Sequence, residues 1–137
     1  MEGGYNHCII QFESYNKVVS WVVEYTDEFE GWWVDLTADE QEAIVAAVAH
    51  LERLGPGLGR PLVDTIRESR HSNMKQIRPP TGNIRILFAF DPRRMAILLI
   101  GGDKTDRWMA WYVEMIPLAD RLYDEHLDEL RREGLLP

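Results

Sequence analysis

Basic side chains in the middle of this 137-residue chain are the residues best suited to chemistry. The segment from Arg60 to Arg107 holds ten of the 15 lysines and arginines but only five of the 23 acidic residues, although the whole chain has a formal net charge of −8. A cationic middle between acidic ends is what a domain needs to present one cationic surface and still stay in solution.

Four of these cations, Lys75, Arg78, Arg85 and Lys104, suit the cleavage of RNA. Internal attack by a ribose 2′-hydroxyl needs a base for its proton, cations for the phosphorane charge and an acid for the leaving 5′-oxygen, and it needs no metal. Arginine offers forked donors to phosphate oxygens, and a lysine crowded by cations loses its proton nearer neutral pH. Ordinary surface salt bridges with neighbouring acids are the alternative, and composition alone favours them.

A predicted hairpin brings three of the cations together. Residues 84–90 alternate between two faces, residues 91–94 have the composition of a turn, and residues 95–100 are apolar on both faces, as in a central strand. A two-residue loop would pair Phe90 with Met95 and place Arg85 opposite Ile100, close to Lys104. The turn after Arg78 returns the chain to the same end of the sheet. Lys75 precedes Arg78 by three residues, so it would lie on the other face of its strand unless a bulge intervenes.

The remaining patterns complete a small α+β domain. Residues 18–25 are predicted to form a strand, residues 26–36 a short helix, residues 37–54 a second helix that begins with a capping box, and residues 74–78 an extended segment. Residues 58–73 lack periodicity and are interpreted as a connection, and a terminal helix starts near Pro117. The predicted order is β–α–α–β–β–β–α: a two-helix hairpin packed on a small antiparallel sheet with a mixed edge, followed by a C-terminal helix. Residues 18–137 form one domain, and residues 1–17 are an N-terminal extension to which we assign no function.

Several classes of protein are disfavoured. The chain has no apolar run of about 18 residues, no secretory signal pattern and a single cysteine, Cys8, so we expect a cytoplasmic protein without a membrane partner. It has no phosphate-binding loop, nucleophile elbow or paired metal ligands, so we expect no cofactor and no metal. Asp120, Asp124 and His126 could bind an ion on one helix, but an exposed helix face explains them better.

An ordered series of segments between Val23 and Leu130 resembles the RelE/HigB-like toxins of bacterial type II toxin–antitoxin systems, especially their phage-related HigB subgroup. The segments that carry the resemblance are FEGWW (29–33), LTADEQ (36–41), LGPGLGRP (54–61), SNMKQIR (72–78), IRILFAFD (84–91), GDK (102–104) and AD (119–120). Together they extend over about four-fifths of the chain.

The resemblance implies the toxin fold described above and a metal-independent, ribosome-dependent endoribonuclease. Such a protein cuts messenger RNA, inhibits translation and is neutralised by a helix-turn-helix antitoxin, so its partners are the antitoxin, the ribosome and mRNA. Lys75, Arg78, Arg85 and Lys104 match the basic positions that these toxins use on RNA. His71 and Tyr112 are further candidates for substrate contact, although a loop histidine and a hydrophobic cluster of Tyr112 with its neighbouring tryptophans are the plainer interpretations.

Two other functions stay open at this point. A non-enzymatic toxin of the ParE branch would act by binding DNA gyrase. A decayed member would only bind its antitoxin, and the acidic net charge, unusual for a ribosome-binding toxin, keeps that reading open.

Overall fold

A five-stranded mixed sheet lies at the centre of the protein. The computed structural model describes residues 21–80 and 82–136, so the predicted extension and the first residues of the predicted first strand lie outside the described residues. The elements in chain order are β1 (Val23–Tyr25), α1 (Asp27–Trp33), α2 (Ala38–Leu54), β2 (Val63–Thr65), β3 (Met74–Ile77), β4 (Ile84–Phe90), β5 (Ala96–Asp103) and α3 (Trp108–Arg132).

The strand order in the sheet is β1-β5-β4-β3-β2. Strands β2 to β5 form an antiparallel meander, and β1 pairs parallel to β5 at one edge. The predicted fold class, an α+β domain with a mixed sheet edge and a C-terminal helix, is confirmed. The strand count differs, because β2 lies inside the segment predicted as a connection.

The sheet is covered on both faces. Helices α1 and α2 pack on one face, where the side chains of Ile84, Ile86 and Phe88 join their core. Helix α3 packs on the other face, where Leu87, Ala89 and their neighbours on β5 meet it. The period-two alternation of β4 therefore separates two cores, as the sequence predicts.

Two threonines fix the starts of the first two helices. Thr37 and Glu40 form the predicted capping box of α2. The hydroxyl of Thr26 accepts a hydrogen bond from the amide of Phe29 and donates one to the carbonyl of Leu99, at 2.7 Å. The same residue therefore caps α1 and attaches it to β5.

The register of the β4–β5 hairpin differs from the prediction by one residue at Phe90 and by two residues at Arg85. Phe90 pairs with Ala96 instead of Met95, because three residues, 92–94, form the loop and Arg94 takes the left-handed conformation (φ 69°). A bulge in β5 then shifts the pairing by one more residue, so that Arg85 lies opposite Gly102 and not Ile100.

Helix α3 begins at Trp108, nine residues before the predicted start, and Pro117 lies inside it. Because proline has no N–H, the carbonyl of Val113 lacks its usual helical donor. No helix in the described part of the chain is long and apolar enough to cross a membrane.

Candidate active site

A cleft of about 890 Å³ lies between α3 and the ends of β3, β4 and β5. Arg78, Arg85 and Lys104 line it, as do Gln76, Trp108 and Tyr112. The predicted convergence of three cations from separate strands is therefore present in the structure. The corrected register preserves it, because residues 76, 78 and 85 share the α3 face of the sheet.

Lys104 is the buried cation of the cleft. It follows β5, its amide donates to the carbonyl of Asn83, and only 2% of the residue is exposed. Its Nζ lies 3.1 Å from the centroid of the Trp108 ring and 5.6 Å from that of Tyr112. Burial, and then the positive charges of Arg85 and Arg78, lower the pKa of Lys104 below its ordinary value.

Arg85, which lines the cleft, has a side-chain donor without a partner. Its Nη1 donates to the carbonyl of Ile84 at 2.8 Å, which bends the side chain back towards its own strand. Its Nε is buried and has no hydrogen-bond partner among the described residues. A buried donor without a partner is costly, so the Arg85 side chain would gain from any movement that gives this Nε an acceptor.

Arg78 is partly neutralised. Its Nε donates to the carbonyl of Pro61 at 3.1 Å, and its Nη1 lies 3.9 Å from the carboxylate of Asp64. The pKa of Asp64 is lowered, mainly by a hydrogen bond from Arg60, with a smaller contribution from the charge of Arg78. Arg78 thus has less positive charge to offer a ligand than Arg85 has.

The predicted cluster of Tyr112 with Trp108 and Trp111 is divided between the core and the cleft. Trp111 is buried, and its indole packs so closely on Gly102 that a Cβ there would lie 2.5 Å from the indole Nε1. Trp108 is 60% exposed at the cleft rim. The Tyr112 hydroxyl donates to Oε1 of Gln76 at 2.7 Å, which fixes the orientation of both side chains.

Two of the predicted site residues, Lys75 and His71, do not line the cleft. Lys75 pairs with Phe88, whose side chain belongs to the α1–α2 core, so Lys75 lies on the other face of the sheet from Arg78. This is the outcome that strict alternation along β3 gives. His71 hydrogen-bonds through Nε2 to Asp124 at 2.8 Å and meets the ring of Tyr123 edge-on, which attaches the β2–β3 loop to α3.

The exposed helix face proposed for Asp120 and His126 was wrong, because both residues are buried. Asp120 accepts hydrogen bonds from the hydroxyl of Ser69 and the amide of Arg70. His126 Nε2 lies 2.9 Å from Oδ2 of Asp91. Among the described residues, no group of three or more His, Cys, Asp and Glu side chains is arranged to hold a metal ion.

The sequence analysis did not include Gln76 among the site residues, and it considered Trp108 only as part of a cluster with Tyr112 for which a hydrophobic role was the plainer interpretation. A helix that begins at residue 108, and not near Pro117, places Trp108 and Tyr112 on one face. The sequence could have predicted Gln76 as a site residue, since strand alternation puts it on the same face as Arg78.

Comparison with known proteins identifies the family. Residues 31–124 match the family described as phage-derived protein Gp49-like (DUF891). The chain belongs to the Gp49-like family. This match covers most of the sheet, the cleft and the first two-thirds of α3.

Two curated relatives of this Gp49-like chain come from Mycobacterium tuberculosis (strain ATCC 25618 / H37Rv). "Putative toxin HigB2" is 43% identical over 127 residues, which are 90% of this chain and 63% of that protein. "Putative toxin HigB3" is 49% identical over 94 residues, which are 69% of this chain and 82% of that protein. The Gp49-like chain therefore spans less than two thirds of the length of the first relative. The resemblance to the HigB subgroup is confirmed, whereas the roles of the individual site residues stay predictions.

Proposed function

We propose that this Gp49-like protein is the toxin of a type II toxin–antitoxin module and that it cleaves ribosome-bound mRNA without a metal. The observation that carries the proposal is the convergence of Arg78, Arg85 and Lys104 on one cleft, together with the lowered pKa of Lys104. The names of the two mycobacterial relatives support the toxin role. They do not bear on the reaction, for which the support is the chemistry of the cleft.

In the proposed reaction, the cations hold and polarise the scissile phosphate. The guanidinium of Arg85 donates to a non-bridging oxygen, and Arg78 adds a second, weaker contact. Both interactions strengthen as negative charge builds up on the phosphorane.

Lys104 is the proposed general base. In its neutral form it removes the proton from the ribose 2′-hydroxyl, whose oxygen then forms a bond to phosphorus. The bond from phosphorus to the 5′-oxygen breaks, and that oxygen takes a proton. Tyr112 is assigned this acid role: its hydroxyl, which donates to Oε1 of Gln76 in the structure, gives up that hydrogen bond to protonate the leaving oxygen. The products are a 2′,3′-cyclic phosphate and a 5′-hydroxyl.

The test compares Arg85→Ala with Arg67→Ala after induced expression in bacteria. Arg67 is an exposed residue of the same basic segment that does not line the cleft. We expect the wild type and Arg67→Ala to arrest growth and pulse-labelled protein synthesis, and Arg85→Ala to be harmless although its circular dichroism is unchanged. A folded Arg85→Ala protein that still stops translation would exclude the proposed site.

The same expression experiment separates the alternatives when plasmid supercoiling and binding to the product of the neighbouring small reading frame are also measured. A gyrase-binding toxin would change DNA supercoiling and leave early protein synthesis intact. A decayed member would bind the product of the neighbouring small reading frame and have no effect on growth. The net charge of −8 is the observation that favours this last reading.

A further inference from the structure

Polar side chains on either side of Lys104 are joined by hydrogen bonds. The hydroxyl of Thr105 donates to Oδ1 of Asp103 at 2.5 Å and accepts from Nδ2 of Asn83 at 3.1 Å. The amide of Thr105 also donates to Oδ1 of Asp103, at 2.8 Å. We call Asn83, Asp103 and Thr105 the polar clamp. It ties the residues before and after Lys104 to the residue that precedes β4.

The polar clamp lies outside the cleft. None of its three residues lines the cleft, whereas Lys104, between two of them in sequence, does. Asn83 and Asp103 instead line a separate cavity of about 160 Å³ beside the start of α2. A contact with RNA in the cleft therefore does not account for the polar clamp. Any role that it has in the reaction is exerted through Lys104.

The clamp closes around the link between Lys104 and Arg85. Asn83 precedes Arg85 by two residues on the same backbone, and its carbonyl accepts a hydrogen bond from the amide of Lys104 at 3.1 Å. Arg85 itself pairs with Gly102 in the sheet. This main-chain bond thus lies at the end of the β4–β5 hairpin. The separation between the candidate base and the candidate phosphate ligand depends on how firmly that end is held.

The turn after Lys104 needs support from its neighbours. The carbonyl of Lys104 accepts from the amide of Arg107 at 2.9 Å, and Asp106 has a φ of 62°, in the left-handed region. A residue other than glycine is strained there and keeps this conformation only where the surrounding contacts impose it. Helix α3 then begins at Trp108 without a side-chain cap. The place of Trp108 over Lys104 is therefore set by this turn, whose first residues the clamp attaches to the sheet.

We propose that the polar clamp positions Lys104 by holding it under the Trp108 ring and at a set distance from Arg85. The amine then reaches the 2′-hydroxyl while Arg85 holds the phosphate. The clamp residues are positioning residues, since they touch neither RNA nor the reacting atoms. This inference rests on the proposed function, because it takes Lys104 as the base. A displacement of about 1 Å is enough to slow a reaction on the order of 100-fold.

The test removes the hydroxyl at the centre of the clamp. Thr105→Val keeps the shape of the side chain but loses the link between Asn83 and Asp103, and Thr105→Ser keeps the hydroxyl. Thr37→Val is the matched control, because this threonine hydroxyl caps α2 and bonds to the amide of Glu40. Each protein is purified with lysine labelled with ¹³C at Cε for NMR, and each is induced in bacteria to measure translation arrest.

We expect Thr105→Val to change the NMR signal of Lys104. In the wild type the Cε protons lie near the face of the indole, whose ring current moves their signal to high field. In Thr105→Val this displacement should shrink, and the pKa of Lys104 should rise towards that of ordinary lysine as the amine gains water. Translation arrest should weaken on the order of 10- to 100-fold.

The other variants show whether the effect belongs to the hydroxyl. Thr105→Ser should keep the wild-type signal, pKa and arrest. Thr37→Val should unfold at a lower temperature and keep the Lys104 signal and pKa, so a loss of stability alone does not explain the change. Asn83→Ala removes the link to β4 and leaves the bonds between Thr105 and Asp103. It is expected to change the Lys104 signal as Thr105→Val does, and it replaces that variant if valine prevents folding.

The NMR and translation measurements separate failure of the inference from failure of the proposed function. A Lys104 signal and pKa that stay as in the wild type, in a folded Thr105→Val or Asn83→Ala protein, would overturn the inference and leave the proposed function intact. A displaced Lys104 with full translation arrest would confirm the hold of the clamp on the lysine but exclude Lys104 as the base. If the wild type does not arrest translation, the proposed function fails, and the NMR signals still decide whether the clamp holds Lys104.

Discussion

The ammonium group of Lys104 lies beneath the indole ring of Trp108, with Nζ 3.1 Å from the ring centroid. The lysine is almost completely buried, and the tryptophan that covers it is mostly exposed. A cation over an indole face is stabilised by about 0.5–2 kcal/mol, which offsets part of the cost of burying the charge. The start of α3 is therefore both the cover of the candidate base and a surface open to ligands.

Lys75 and Lys104 should differ in their effect on activity. Replacement of Lys104 by Met removes the candidate base, so we expect translation arrest to disappear. Replacement of Lys75 by Met should leave the arrest unchanged, because Lys75 lies on the other face of β3. Pulse labelling after induction measures both effects. If a folded Lys75→Met protein is harmless, a residue on the other face of the sheet is needed for activity. That result would contradict our assignment of the site to the α3 face.

The titration of Lys104 should depend on Arg85. Because the charge of Arg85 helps to lower the pKa of Lys104, Arg85→Gln should move that pKa back towards the ordinary value of lysine. The chain has three lysines, at positions 17, 75 and 104, so ¹³C-methylated lysine signals are few enough to assign by replacing each with arginine. Arg67→Gln is the control and should cause no shift. An unchanged Lys104 titration in Arg85→Gln would show that the two charges do not interact.

The Lys104 pKa also predicts how stability depends on pH. Since the folded state disfavours the charged lysine, the folded protein releases its proton at a lower pH than the unfolded chain does. The free energy of unfolding should therefore rise as the pH increases from the lowered pKa to the ordinary one. In Lys104→Met this rise should be smaller, which chemical denaturation at several alkaline pH values measures. An equal rise in both proteins would contradict the lowered pKa.

The buried carboxylate of Asp91 should be a major contributor to stability. It accepts hydrogen bonds from the side chains of His126 and Arg93 and from the amides of Arg93 and Met95. Asp91→Asn should cost about 3 kcal/mol, because it removes one partner of a buried charged network.

Asp91 should also contribute to acid sensitivity. Burial raises its pKa, but the hydrogen bonds from His126 and Arg93 outweigh burial, and the pKa of Asp91 is lowered. Its stabilisation is thus complete above the pKa of an unfolded aspartate and is lost as the pH falls through the folded value. The free energy of unfolding of Asp91→Asn should accordingly fall less steeply with decreasing pH than that of the wild type. Equal slopes would exclude Asp91 as a source of the acid sensitivity.

Gly102 should tolerate no side chain. A Cβ at this position would lie 2.5 Å from the indole of Trp111, which is fixed in the core beneath α3. We expect Gly102→Ala to lower the free energy of unfolding by about 1–3 kcal/mol, as overpacking does. Gly31→Ala is the control, because its Cβ would meet open space within a helix, and alanine should be neutral or stabilising there. Thermal unfolding measures both, and a Gly102→Ala protein as stable as the wild type would show that Trp111 can move aside.

Local sequence signals predicted the elements that depend on local interactions. Helix α2 was found from the capping box of Thr37 and Glu40, and the two faces of β4 from alternation. The convergence of the cations followed from the hairpin and survived an error of two residues in its register.

The errors arose where distant residues decide the structure. The bulge in β5 occurs beside Leu99, whose carbonyl accepts a hydrogen bond from Thr26, 73 residues earlier. Strand β2 is three residues long and is defined only by its pairing with β3. Helix α3 starts without a side-chain cap at Arg107, so the proline at position 117 was the stronger but misleading signal.

The parallel pairing of β1 with β5 has a consequence for the synthesis of the protein. Val23 pairs with Ala96, so β1 can join the sheet only after β5 has been made. The cleft likewise needs residues as far apart in sequence as Arg78 and Asp120. Contacts between residues so distant in sequence form late in folding, and domains generally fold as units as the chain is made. The cationic cleft is accordingly incomplete until the chain has left the ribosome as far as Asp120, so the growing chain cannot use it before that point.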